Sequence, residues 1–245
     1  MDQIDETRGK VSSVFNNSFD VRLGNCLLNF NCRNQALHPL GVLIEDNLLV
    51  KISRGAKAKL ENNSLYLAGR KFVLIPGIKT VNNNYTIRKD VINNNLQKLK
   101  NYIGVFGTET GFPAEEYQAA FSEFEKENLN TEKLFDFFGD GPGLTPAFDD
   151  FVAGMLLVDR KLANNKILIT DNLLEKLKKK TTLASWWQLK FADRGVFSLG
   201  WEKFVARLLG GKIDATSTLR RLKFGHSSGT DICRGIYFYL SGDFI

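Results

Sequence analysis

At 245 residues, 43% hydrophobic and 24% charged, the chain can bury a sizeable core in one large domain or two modest ones, and disorder is not its default. Its net charge of +6 is scattered and its 19 Phe sit at core-like spacing, which argues against nucleic acid as a partner; no apolar run nears the roughly 20 residues that cross a bilayer, and the opening Met1-Asp2-Gln3-Ile4-Asp5-Glu6 lacks signal-peptide order, so a cytoplasmic protein with no membrane segment is expected. Cys26, Cys32 and Cys233 show no CxxC spacing and only His38 and His226 could join them, which excludes a disulfide framework and a soft-metal centre; no metal-ligand set is assigned, and any metal would be a hard one held by oxygen.

The first third reads as short strands: Val11 to Phe15, Phe19 to Leu23, Leu27 to Asn31, Val42 to Ile44, Leu48 to Ile52, Leu65 to Leu67, Phe72 to Ile75 and Tyr85 to Ile87. Each is brief, apolar or alternating, and bounded by Asn, Gly or Pro, as in the turns at Gly24-Asn25, Glu61-Asn62-Asn63 and Val81 to Asn84. Near Lys89 the hydrophobic period changes from two to about 3.6. Helical stripes follow at Ile92, Leu96, Leu99 and Ile103, at Tyr117, Phe121 and Phe124, at Trp201, Phe204, Val205 and Leu208, at Ala215, Leu219 and Leu222, and at Ile232, Ile236 and Leu240. Phe151 to Val158 is apolar nearly all round, which predicts a central buried helix. The Lys176 to Lys180 run follows an Asp171-Asn172 helix start, and its cations suit a last helical turn. The expected fold is α+β, with a β-rich sheet or small barrel over residues 1–90 and a mainly helical domain over 91–245 that carries both loops described next.

Gly139-Asp140-Gly141-Pro142-Gly143-Leu144-Thr145-Pro146 leads into the central helix, with Leu144-Thr145-Pro146 as a plausible cap and first-turn proline. Gly225-His226-Ser227-Ser228-Gly229-Thr230-Asp231 repeats the plan: setting Asp150 on Asp231 puts Phe151 on Ile232 and Gly154 on Gly235. Two such loop-to-helix junctions suggest a two-walled pocket in which free backbone N–H groups bind a small anion. The substrate-binding candidates are Gly141, Gly143, Thr145, Ser227, Ser228, Gly229 and Arg234, and the catalytic candidates are Asp149, Asp150 and Asp231, with Asp150 favoured over Asp149 because Asp231 is its counterpart.

Each candidate has an ordinary reading beside the functional one. Gly and Pro punctuate loops, and acidic residues in a first turn stabilise the helix end. A carboxylate beside an anion cradle would repel a phosphate, so the two fit one site only with a bridging Mg²⁺ or with the carboxylate facing a substrate N–H. His226 beside Ser227 and Ser228 lacks a GxSxG elbow, which favours a packed or supporting histidine over a base. Arg194 and Arg234 each read as surface ion-pair residues, and Arg234 is the better site candidate. No Walker A Lys-Ser or Lys-Thr pair is present.

At these loops the chain resembles a bacterial family whose signature runs close to GxGPGLTPSGDDFLxG with a later GxSSGxDxLxG, and which includes the AllH-type subunit of oxamate carbamoyltransferase. The likeness takes in Val11-Ser12-Ser13-Val14-Phe15, Thr181-Thr182-Leu183-Ala184-Ser185 and both loops. It implies a subunit of a carbamoyltransferase-like enzyme of purine or allantoin nitrogen metabolism, with other subunits including one resembling an acyl-CoA synthetase. The alternatives are a ligand-binding or scaffolding subunit and, from Asp149 and Asp150 alone, a Mg²⁺-dependent hydrolase. Ala147-Phe148 departs from the family's Ser-Gly, removing a hydroxyl and introducing bulk where a ligand would approach.

Overall fold

The computed structural model describes residues 7–32, 40–44, 52–74, 86–108, 115, 118, 121 and 129–245. The chain divides into two compact units, Met1–Val81 with Ser198–Gly200, and Asn82–Phe197 with Trp201–Ile245.

The first unit is a seven-stranded sheet of β1 (Arg8–Phe15), β2 (Ser18–Leu23), β3 (Cys26–Asn31), β4 (Gly41–Leu43), β5 (Lys57–Glu61), β6 (Ser64–Leu67) and β7 (Arg70–Val73). Its order is β4-β3-β2-β1-β5-β6-β7, so the sheet-or-barrel alternative resolves to a sheet with β4 and β7 at its ends. All pairings are antiparallel except β3 with β4. Phe19 stands opposite Phe30, and their rings stack at 4.7 Å over the buried face with Val11, Val21 and Leu23. Asn62 and Asn63 both take positive φ, 46° and 57°, in the two-residue turn that joins β5 to β6, a conformation Asn tolerates.

Strand β5 has no counterpart in the expected elements. Its Lys57-Ala58-Lys59-Leu60-Glu61 looks like a charged linker, yet Ala58 is buried while Lys57 and Glu61 face solvent. Thr86 and Ile87 are not a strand; the segment is drawn into the helical unit where the Arg88 N–H donates to the Leu209 carbonyl at 3.0 Å. Residues 45–51, 75–85, 117 and 124, on which parts of the expected strands, turns and aromatic stripe fall, lie outside the described residues, as does His38.

The second unit contains α1 (Lys89–Phe106), a 3₁₀ helix at Thr131–Phe137, α2 (Ala147–Lys161), α3 (Asp171–Lys180), α4 (Leu183–Asp193), α5 (Leu199–Gly210) from Trp201 on, α6 (Ala215–Leu222) and α7 (Ser228–Ser241). Leu129–Asn130 (β8) and Ile167–Leu168 (β9) form a short parallel pair. The molecule is thus α+β in the expected order. Among the described residues no helix is long and apolar enough to cross a membrane.

Helix α2 is buried from Ala147 to Asp159, and α7 crosses it. A Cβ on Gly154 would fall 2.2 Å from the Ile232 carbonyl oxygen, and one on Gly235 would fall 1.9 Å from that of Phe151. The contact is reciprocal: Gly154 rests on Ile232, the counterpart of Phe151, and Gly235 rests on Phe151, so exchanging the two helices leaves the pattern unchanged. Glycine is required because each helix backbone rests directly on the other. Asn95 of α1, 1% exposed, donates to the carbonyls of Leu208 (2.9 Å) and Gly211 (3.0 Å), fixing the end of α5. On α6 the buried residues are Thr218, Arg221 and Leu222, while Ala215 is exposed, so the expected apolar stripe is rotated and a charged residue enters the interior.

Candidate functional site

Pro146 stands at the N-cap of α2, and no side chain caps the helix. The contrast is with α3, α4 and α6, whose first turns are capped by Thr170, Thr182 and Asp214. Thr145 therefore does not serve as the cap. Its hydroxyl meets the Ser228 hydroxyl at 2.8 Å, which brings the two motif loops into contact.

Asp149 is fully buried and every part of its carboxylate is engaged. Oδ1 accepts from the Gly139 N–H at 2.9 Å, and Oδ2 accepts from Ser185 Oγ at 2.6 Å and from the Thr181 hydroxyl. Burial raises its pKa, and these three donors oppose the rise. Chemically this is an anchor: it ties the start of the glycine loop to the residues around the start of α4. The Thr182 hydroxyl adds a bond to the Leu144 carbonyl.

Asp150, 1% exposed, is differently placed. Gln188 Nε2 donates to its Oδ1 at 2.7 Å, while Oδ2 is buried without a hydrogen-bond partner. Burial pushes its pKa up to about 8; Gln188 and the nearby Ser228 and Thr145 hydroxyls moderate the rise, and the negative charge of Asp231 adds to it. The 2.8 Å bond of Thr145 and Ser228 is with each other. Asp150, Asp231, Thr145 and Ser228 thus come to one place, with Asp150 carrying its proton at neutral pH.

The second loop has less to offer through its backbone than the sequence implied. The N–H of Gly229 donates to the Phe224 carbonyl at 2.9 Å, and those of Thr230 and Asp231 donate to the Ser227 carbonyl at 2.8 and 3.1 Å. Gly229 is buried, packed against the Arg221 carbonyl. Ser227 occupies the N-cap position without a side-chain cap bond. Asp231 is 1% exposed, with Arg234 Nη1 3.9 Å from its Oδ1. His226 is exposed in the turn of the loop, which corrects the packed alternative of its packed-or-supporting reading, since a side chain open to solvent packs against no core.

In the first loop Gly141 (φ 112°) is pressed against Ala147 N, 2.6 Å from where a Cβ would be, whereas Gly143 (φ 101°) has open space beside it. Of the loop glycines, Gly143 is the one with room for a ligand. Phe148 does not fill that room. It is 0% exposed and points inward, its ring 5.2 Å from Phe138, 5.6 Å from Phe137 and 6.1 Å from Phe121. The Ala147-Phe148 departure is therefore a change in core packing.

Sequence reasoning passed over Gln188, Thr181 and Ser185 as site residues. The Thr-Thr-Leu-Ala-Ser run was a signal for the last two, since hydroxyls grouped before a helix seek acceptors. A cleft of about 460 Å³ lined by Ile87, Arg160, Lys161, Asn165, Asp193, Arg194 and Gly195 lies at the opposite end of α2 from Asp150. There Arg160 is held by Asp193 Oδ1 at 2.6 Å, by the Ile167 carbonyl at 2.9 Å and by Asp159. Among the described residues no group of three or more His, Cys, Asp or Glu could hold a metal ion.

No solved structure matches the chain. The family model described as oxamate carbamoyltransferase subunit AllH matches residues 137–240, a span that includes both motif loops, α2 and nearly all of α7, and this supports the AllH-type family.

Proposed function

Starting from that family, we propose that the chain is a subunit of a carbamoyltransferase of the oxamate type, in purine or allantoin nitrogen breakdown, and that it binds a small anionic substrate where Thr145 meets Ser228. The observation that carries this reading is the unpartnered Oδ2 of Asp150, buried at the junction of both loops. A buried carboxyl oxygen without a partner costs about 1–3 kcal/mol, which a ligand group would recover. With a pKa raised to about 8 the carboxyl is mostly protonated near neutral pH, so it donates a hydrogen bond to a carbonyl or phosphoryl oxygen instead of repelling an anion. This removes the need for a bridging Mg²⁺. The Thr145 and Ser228 hydroxyls, the Gly143 backbone and Arg234 supply the remaining polar groups, and burial, with the Asp231 charge adding to it, keeps Asp150 protonated. Gly141, Gly229, Ser227 and Asp149 hold these groups in place. A partner resembling an acyl-CoA synthetase would complete the enzyme, as the resemblance implies.

A second reading, a scaffolding subunit without chemistry, is favoured by one observation: the N–H groups of Gly229, Thr230 and Asp231 are already engaged within their own loop. Calorimetric titration with oxamate, carbamoyl phosphate and phosphate, with and without Mg²⁺, separates the two. Each charge-assisted hydrogen bond contributes about 1.5–3 kcal/mol, so Asp150→Ala or Ser228→Ala should weaken binding roughly ten- to several-hundred-fold. Unchanged binding in both variants removes these side chains from the site. No binding by the isolated wild type favours a site completed by another subunit, or the scaffold.

A further inference from the structure

Arg221, on the buried side of α6, is 8% exposed, and its Nη1 is sealed from solvent without a hydrogen-bond partner. Its guanidinium carbon lies 5.4 Å from the centroid of the Trp201 ring. Trp201 is itself 3% exposed, and its indole Nε1–H is buried with no acceptor. Burial disfavours the charge of Arg221, Arg220 repels it, and the nearby Cys233 thiol is kept protonated, and so neutral, by its own burial. Among the described residues no carboxylate pairs with Arg221.

This is unlike Arg160, another guanidinium drawn into the helical unit, which has two carboxylates and two carbonyls around it. Stacking on Trp201 offsets part of the cost of burying a cation, by about 0.5–2 kcal/mol. It does so through the ring face and leaves the Nη1 donors unanswered. A buried guanidinium Nη1 and a neighbouring buried indole N–H, both without acceptors, suit one ligand type: a compact group with negative charge and more than one acceptor oxygen.

We propose that Arg221 and Trp201 form a binding site for a small oxoanion, a carboxylate or phosphate, separate from the Asp150 junction. The separation rests on position: Arg221 and Trp201 stand on α6 and α5, whereas Asp150 and its Gln188 partner stand on α2 and α4. The two sites still communicate through the chain, because Gly229 of the second loop packs directly on the Arg221 carbonyl.

The test is the thermal unfolding midpoint of the purified chain titrated with inorganic phosphate and, separately, with acetate, each against sodium chloride at matched ionic strength. A ligand that binds only the folded state raises the midpoint with concentration. At least one oxoanion should do so beyond chloride. Trp201→Phe keeps the stacked ring and removes the N–H, and should weaken about tenfold the apparent affinity of the response that remains in an Asp150→Asn background; Arg221→Met in that background should abolish it. Asp150→Asn alone should retain the response, which separates this site from the proposed substrate site. Should Arg221→Met fail to fold, Trp201→Phe carries the test. An unchanged response in either variant, or no response beyond chloride in the wild type, overturns the proposal.

Discussion

The junction that opens α2 and the one that opens α7 meet through the same pair of close contacts, Gly154 on Ile232 and Gly235 on Phe151, yet they are anchored by different chemistry. Before the shared aspartate, the first has Asp149 and the second has Thr230. Asp149 collects three donors from the glycine loop and from around the start of α4; Thr230 accepts one, from the Thr108 N–H at 3.0 Å. The difference teaches that the repeat is one of packing: the glycine spacing sets how the helices cross, and the residue before each aspartate ties its junction to whatever segment is adjacent. Asp150 and Asp231 occupy equivalent places, but the 2.7 Å bond from Gln188 distinguishes Asp150.

The sharpest way to break the comparison is Asp149→Ala. It removes a buried acceptor from the Gly139 N–H and from the Thr181 and Ser185 hydroxyls, and should lower unfolding free energy by about 3–5 kcal/mol in a denaturant titration. Thr230→Val, which loses one bond, should cost about 1 kcal/mol. Equal losses would mean the anchors are equivalent after all. Next in size is the glycine pair: Gly154→Ala and Gly235→Ala should each destabilise by about 1–3 kcal/mol through overpacking, and by similar amounts, because the contacts are reciprocal. A large loss in one and none in the other would refute the shared packing.

Much of this was legible along the chain because it depends on short-range spacing. The period change near Lys89, the all-apolar Phe151 to Val158 run and the match of Gly154 to Gly235 led to the sheet, to the buried α2 and to the expectation of two junctions facing each other, whereas the crossing of α2 with α7 came only with the structure. What was not legible depends on partners distant in sequence. Asp149 is an anchor only because Thr181 and Ser185, 32 and 36 residues later, return to it. Asp150 differs from Asp149 by which way its side chain leaves α2, and sequence proximity conceals that. Arg221 and the charged β5 were hidden for the opposite reason, since charge along a segment reads as solvent exposure until tertiary packing decides otherwise.

The pH dependence of stability sharpens the contrast between the two aspartates. Asp150 has its folded pKa raised from 3.8 to about 8, so between those values the folded state holds a proton that the unfolded state has released. Its contribution is therefore fully present below about pH 4 and is lost progressively as pH rises through about 8, at about 1.4 kcal/mol per pH unit. Asp150→Asn, neutral at every pH, should lose that slope. Unfolding free energies of the wild type and the variant at pH 5, 6 and 7 provide the measurement, and curves that run parallel would show that Asp150 does not titrate in this range.

The smallest expected effect concerns the contact through which the two loops meet. The Thr145 and Ser228 hydroxyls lie 2.8 Å apart beside the buried Asp150 carboxyl, so each orients the other. Thr145→Val and Ser228→Ala should each cost about 1 kcal/mol, and a double-mutant cycle should give a coupling of about 0.5–1 kcal/mol. If this pair also sets the direction in which hydroxyl hydrogens face a ligand, the same cycle performed on oxamate binding should show coupling as well. Coupling in stability with additivity in binding would make the contact a structural clasp between the loops. Coupling in both would tie the meeting of the two junctions to the chemistry proposed for them.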